Sequence, residues 1–260
     1  LDGIISTAYV QLTGDDWSEV DSGIPEEAPL SIYVNGQELV TFMCTPAGQD
    51  ALALGFLANE GLIDELDEVV VLHVCAAGTC VDVWLSHAVQ RPSRPIITSG
   101  CGGGVTFDDL TEQIEPLQSE KHVLPAQLQR LMRQLNSAGR LYREVRGIHT
   151  SALSDGQRLL LIAEDVGRHN TLDKLRGLAL MQGVDTQDMV LLSSGRISSE
   201  MLNKAAHMGV PVIVSRTSPT SLSIALAQAW GITLVGYVRQ NRMNVYTGVE
   251  RLQAQKRPEG

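Results

Sequence analysis

Arg158-Leu159-Leu160-Leu161-Ile162-Ala163 is an apolar run of strand length, and Glu164-Asp165-Val166-Gly167-Arg168-His169-Asn170 follows it directly. Residues 170–181 then read as a helix. The same order of apolar run, polar segment and helix recurs towards the C-terminus. Strands are predicted at residues 158–163, 189–192, 212–215 and 232–238, with helices at 170–181, 198–207 and 218–230. Such alternation implies an α/β layer architecture with a largely parallel sheet. Ser218-Pro219 predicts the start of the third helix, with a hydroxyl cap and a proline at the first helical position.

Working towards the N-terminus, the pattern changes near residue 147. The division it predicts is a mixed α/β region over residues 1–105, a helical connection over 106–146 and an α/β region over 147–260, α+β overall. Leu30 to Val34 is a short β-prone run that ends at the turn pair Asn35-Gly36, and residues 38–44 can pair back across that turn. Pro29 is placed just outside the strand, where it removes no ladder hydrogen bond. Leu52, Leu54, Phe56, Leu57 and Leu62 suit a helix over 49–62. Residues 68–75 and 80–85 read as strands joined by Ala76-Ala77-Gly78-Thr79. A stretch rich in Pro, Ser and Gly at 91–104 closes the region. A helix near 125–141 follows, with Leu128, Leu131, Met132 and Leu135 on one face.

The 260 residues are 43% hydrophobic and 19% charged, ordinary values for a globular protein. Aromatic residues make up only 4% of the chain, so its core rests on Leu, Val, Ile and Ala. A net charge of −10 argues against general binding to nucleic acid or to an anionic membrane. No uninterrupted apolar segment approaches the roughly 18–20 residues needed to span a bilayer, and Leu1-Asp2-Gly3 does not open a secretory signal. Cys44, Cys75, Cys80 and Cys101 are too few and too scattered for a secreted disulfide framework. The expectation is a cytoplasmic protein with reduced thiols.

Polar residues gather after the ends of the predicted strands. The segment 164–170 and Asp173-Lys174 follow the first. Ser193-Ser194-Gly195-Arg196-Ile197-Ser198 follows the second, Arg216-Thr217-Ser218 the third and Arg239-Gln240-Asn241-Arg242 the fourth. Open α/β sheets bind ligands at the carboxyl ends of their strands, where helix N-termini offer free N–H groups. A parallel sheet would bring Arg168, Arg196, Arg216, Arg239 and Arg242 to one rim, with Lys174 and Lys204 further away. Planar guanidinium forks suit phosphate or pyrophosphate. The opposing reading has these arginines paired with Glu164, Asp165 and Glu200 in structural salt bridges, and spacing alone leaves both open. His149 and His169 could be general acids, metal ligands or satisfied core histidines. A zinc deaminase would need a Cys pair near its ligating His, and the second region has no cysteine.

Cys44, Cys75 and Cys80 end or bracket predicted strands and read as small packing groups. Cys101 differs: it lies in Thr98-Ser99-Gly100-Cys101-Gly102-Gly103-Gly104. Glycine on both sides leaves the thiol unshielded and the backbone free to move, which a thiolate relaying sulfur between two partners requires. A Gly-rich turn with an incidental Cys, or a phosphate cradle, fits the same residues.

Taken together, these segments resemble the FdhD family of formate dehydrogenase accessory sulfurtransferases. The matching pieces are Glu27-Ala28-Pro29-Leu30, Asn35-Gly36, Thr45-Pro46, Gly55-Phe56-Leu57, Glu60-Gly61, Cys101-Gly102, Gly147-Ile148-His149 and the whole of 164–170 with Asp173-Lys174. Ser194-Gly195-Arg196, Pro219-Thr220, Gly236 to Arg239 and Val245-Tyr246-Thr247 complete the series. The resemblance implies a persulfide on Cys101, taken from a cysteine desulfurase and passed to the molybdenum bis-guanine-dinucleotide cofactor for formate dehydrogenase. That cofactor is the bound substrate, with no metal held directly by side chains. Tyr237, Val238, Arg239, Gln240, Asn241 and Arg242 match the cofactor-binding segment, and Arg168, His169, Ser194, Gly195 and Arg196 are expected to share that role. The resemblance further implies a cytidine-deaminase-like C-terminal fold without zinc, and a homodimer. Gly104 stands where the family usually has a second Cys, so an internal disulfide cannot release the sulfur through that position. The rival readings are a cofactor chaperone without transfer chemistry and a deaminase-like hydrolase acting on a nucleotide.

Overall fold

The computed structural model describes residues 3–89, 96–97, 105–106 and 115–252. The chain opens on strands β1 (Ile4–Thr13) and β2 (Asp16–Pro25), a two-stranded antiparallel ribbon. Sequence reading did not separate this ribbon. Its apolar residues break the two-residue alternation, and Tyr9, Val10, Leu12 and Trp17 are exposed.

A four-stranded sheet follows, in the order β4-β3-β6-β5, from β3 (Ala28–Val34), β4 (Gln37–Cys44), β5 (Val69–Val74) and β6 (Cys80–Leu85). Asn35 and Gly36 join β3 to β4 with φ of 50° and 81°, the left-handed pair that matches strand twist in a two-residue hairpin. Pro29 lies inside β3, not ahead of it. The strand tolerates it because Ser31 and Asn35 send their N–H groups to Thr79 O and Val83 O of the β6 side. Pro29 has the same parity, and the ladder to β6 begins only at Ser31 opposite Cys80.

Helix α1 (Gln49–Asn59) covers this sheet and is buried from Ala51 to Asn59. It is apolar all round because its other side packs on helix α4 (Arg168–Gln182). Gly55 and Gly177 make this packing possible: a Cβ on Gly55 would overlap Asp173 O, and one on Gly177 would overlap Ala51 O.

The second sheet has the order β10-β9-β11-β12-β13-β14. Its strands are β9 (His149–Ser154), β10 (Leu159–Asp165), β11 (Val190–Ser193), β12 (Val212–Ser215), β13 (Thr233–Gly236) and β14 (Asn244–Thr247). The four strands expected from the sequence, β10 to β13, all run in one direction. The sheet is nevertheless mixed, since β9 runs antiparallel between β10 and β11 and β14 runs antiparallel at the edge. Within this sheet, among the described residues, only β11–β12 and β12–β13 are parallel pairs. Strand β9 escaped notice because its buried Thr150, Ser151 and Ser154 read as surface residues. Hydrogen bonds permit their burial; Ser151 Oγ lies 2.7 Å from Thr171 Oγ1.

Strands β11 to β13 are buried on both faces, which explains their unbroken apolar runs. Leu191, Ile213 and Leu234 face α4, α5 (Ser199–His207) and α6 (Ser221–Ala229). Val190, Leu192, Val212, Val214 and Val235 face helix α2 (Pro125–Ala138), whose Leu128, Leu131, Met132 and Leu135 form the expected stripe. The helix predicted over 125–141 breaks at Gly139, after which α3 (Arg140–Val145) begins. Helix α6 starts later than predicted: Thr220 is its cap, and Pro219 instead bridges to Ile197.

Candidate functional site

Because β10 to β13 run the same way, their carboxyl ends and the start of β9 meet along one edge of the sheet. His149 pairs with Asp165, and Ser151 with Ser193. Short polar side chains fasten the loops there. Thr150 N donates to Ser194 Oγ at 2.9 Å, Ser215 Oγ donates to Gly195 O at 2.7 Å, and Thr217 N donates to Ser215 Oγ at 2.9 Å. Gly195 is the contact point of three motifs: a Cβ there would lie 3.2 Å from both Arg168 Cβ and His149 Nδ1. Tyr237 N donates to Thr217 O and Val238 N to Ser215 O, which joins the 237–242 segment to the same rim.

The segment from Glu164 to Lys174 divides into scaffold and rim. Asp165 is fully buried and accepts from Thr45 N, Gly167 N and Asn170 Nδ2, with Lys174 Nζ at 2.6 Å. Asp173 holds Lys204 Nζ at 2.7 Å and accepts from Asn59 Nδ2 at 2.8 Å. Burial opposes the charged form of Lys204, but Asp173, Glu60 and Glu200 outweigh it and hold its pKa above the ordinary lysine value. Both lysines and both aspartates therefore fasten α1 and its flanking chain to α4 and α5. Glu164 accepts from Leu141 N at 3.0 Å and Tyr142 N at 2.9 Å, capping α3.

His169 lies beneath the rim, with Nε2 3.0 Å from Ser198 Oγ and 3.2 Å from Glu200 Oε2. Burial, then Arg168, Lys204, His149 and Arg196, push its pKa down to about 2, so it is neutral at physiological pH. His149 is also held below the usual histidine range, by burial and by Arg168. Arg168 is buried, Arg216 is half-buried, and Arg196, Arg239 and Arg242 are exposed with Gln240 and Asn241. Among the described residues, Arg196, Arg216, Arg239 and Arg242 form no ion pair with a carboxylate. Salt bridges to Glu164 and Asp165 do not account for these four. Arg239 Nη1 instead donates to Arg216 O at 2.6 Å, and Arg216 Nη1 donates to Asn136 Oδ1 at 3.2 Å.

A pocket of about 350 Å³ opens here, between α2–α3 and the rim. Leu135, Asn136, Tyr142, His149, Ser194 and Arg216 are among its walls. Asn136 and Tyr142 were not singled out in the sequence, where nothing marks an isolated Asn or Tyr as facing a ligand. A larger cavity of about 420 Å³ lies between α6 and β14, and none of the rim arginines lines it.

Cys101 and Gly104 lie outside the described residues. The strands that flank them, β7 (Ile96–Ile97) and β8 (Val105–Thr106), pair antiparallel. Cys75 and Cys80 are joined in a disulfide with Cα atoms 5.5 Å apart, contrary to the expected free packing thiols. The register of β5 and β6 explains it, since Val74 pairs with Val81 and places the cysteines opposite each other. Cys44 is buried as expected; burial and then Asp165 push its thiol up to about 12, so it is not a thiolate at neutral pH. No helix among the described residues is long and apolar enough to cross a membrane.

Three comparisons bear on this arrangement. The model of the FdhD/NarQ family matches residues 25–253. A sulfur carrier protein FdhD of Staphylococcus aureus (strain MRSA252) is 38% identical over 232 residues, covering 87% of this chain and 88% of the relative. The same values hold for the FdhD protein of strain Newman. A crystal structure of a formate dehydrogenase accessory protein from Desulfotalea psychrophila, described there as putative, superposes with a TM-score of 0.83 at 29% identity. That match covers 96% of this chain and all of the other.

Proposed function

Since the chain belongs to the FdhD/NarQ family, we propose that it carries sulfur as a persulfide on Cys101 from a cysteine desulfurase to the molybdenum bis-guanine-dinucleotide cofactor, for use in formate dehydrogenase. The relatives named sulfur carrier and the solved accessory protein support the carrier role and the link to formate dehydrogenase. The observation that carries the cofactor reading is the cationic rim. Arg196, Arg216, Arg239 and Arg242 come from three different loops and have no carboxylate partner among the described residues. Guanidinium groups left without carboxylates in an acidic protein suit the pyrophosphates of a guanine dinucleotide.

In the loading step the Cys101 thiolate attacks the outer sulfur of the donor persulfide. A new S–S bond forms at Cys101 and the donor cysteine leaves as thiolate, with no net oxidation. With Gly104 in place of a second Cys and Cys75 paired to Cys80, release is assigned to exchange at Cys101 itself. We extend the reading to a cytoplasmic homodimer, for which light scattering would report twice the 28.1 kDa chain mass.

The test is the intact mass of the protein after incubation with a cysteine desulfurase and cysteine, beside Cys101→Ala. A gain of one reducible sulfur on the wild type alone supports the carrier role. No gain on either protein replaces it with a cofactor chaperone whose working part is the arginine rim.

A further inference from the structure

Helix α3 is six residues long and ends in an unusual backbone. Arg146 has φ 60° and ψ −172°, and Gly147 follows with φ 64°. The first conformation belongs almost exclusively to glycine, and side chains held in it cluster at ligand clamps. Glycine would relieve this strain, yet the position holds an arginine. Its guanidinium lies 4.9 Å from the centre of the Tyr142 ring, and Tyr142 forms part of the wall of the 350 Å³ pocket.

The surroundings of Arg146 are suited to an anion. Residues 133–146, which end α2 and form α3, contain four Arg against Glu144 as their one acid, and Arg133, Arg140, Arg143 and Arg146 are exposed. No Asp or Glu lines the pocket among the described residues. Arg216 lines it and is tied to α2 through Asn136. The position of α3 is itself determined by Glu164, whose carboxylate holds Leu141 N and Tyr142 N. Gly139 lets that carboxylate approach, since a Cβ there would lie 2.6 Å from Glu164 Oε1.

We propose that Arg146, stacked on Tyr142, is a phosphate clamp at this pocket, closing on a nucleoside diphosphate whose other anionic contacts come from Arg216 and the rim. This inference rests on the reading of the rim as a guanine-dinucleotide site, and adds to it a second wall built by α3. Aromatic support and fixed backbone reduce the freedom the guanidinium would lose on binding, which favours a clamp over a free surface arginine.

Titration calorimetry with GDP tests the clamp on the wild type, Arg146→Gly and Arg239→Ala, with thermal unfolding run beside it. The expected result is GDP binding by the wild type, weakened about tenfold or more in Arg146→Gly through loss of a charged hydrogen-bond donor. Arg146→Gly should at the same time unfold about 2–4 °C higher, because the strain is relieved. Unchanged GDP affinity in Arg146→Gly beside a weakened Arg239→Ala overturns the clamp and leaves the rim reading standing. Weaker binding with a lowered unfolding temperature also overturns it, since Arg146 would then be supporting the fold. Absence of GDP binding by the wild type removes the rim reading and the clamp together.

Discussion

His169 sits within the most distinctive stretch of the sequence, yet its ring is buried and turned towards Ser198 and Glu200. Its depressed pKa has a consequence for stability. Below the unfolded-state value of about 6.5 the unfolded chain takes up a proton that the folded protein refuses, so stability falls as pH falls. From pH 6.5 down to 5 the loss attributable to this single group should steepen from about 0.7 towards about 1.4 kcal/mol per pH unit. Urea unfolding at several pH values should show a shallower slope for His169→Gln, and parallel slopes would refute the assignment. Lys204 makes a different case, because its charge is buried and satisfied by Asp173. Asp173→Asn leaves that ammonium short of its counter-charge, and the expected loss is about 3–5 kcal/mol in the same unfolding experiment. Lys174, Lys204, Asp165 and Asp173 show why polar residues in a motif need not be ligands: in sequence, a buried ion pair and a binding group look alike.

The contact between α1 and α4 depends on backbone approach more than on side chains. Gly55 and Gly177 occupy the crossing, each against a carbonyl of the other helix. Gly177→Ala should separate the helices and cost at least about 1–3 kcal/mol, read as a lower urea midpoint with an unchanged m-value. Both glycines were visible in the sequence, but the family pattern around Gly55 did not say that it served a helix crossing. Strands β10 to β13 were legible because burial on both faces leaves an unmistakable apolar run. Strand β9 was not, since hydroxyl side chains that find partners only in the folded sheet look like surface residues. Helix α3 was merged with α2 for a related reason: the break at Gly139 is made for Glu164, a residue on a strand far along the chain.

Charge is divided along the whole molecule. Residues 1–90 contain no Lys or Arg, and all 20 lie beyond them. The net charge of −10 thus conceals a C-terminal part in which basic residues outnumber acidic ones. On the proposed reading of the rim, exposed arginines such as Arg196, Arg239 and Arg242 act through solvent, so GDP affinity should fall as salt rises from about 0.05 to 0.5 M and shortens the screening length. Affinity unaffected by salt would place recognition in the buried residues. The sequence by itself determined the α/β class, the order of its main strands and helices, the glycine-flanked Cys101 and the family, because apolar periodicity and short motifs are local properties. Only the tertiary structure decided that β10 to β13 share a direction despite β9 between them, that Asp165 and Asp173 are scaffold, and that α3 walls the pocket. These depend on which distant residues meet, and burial and pairing energies between such residues leave no local trace.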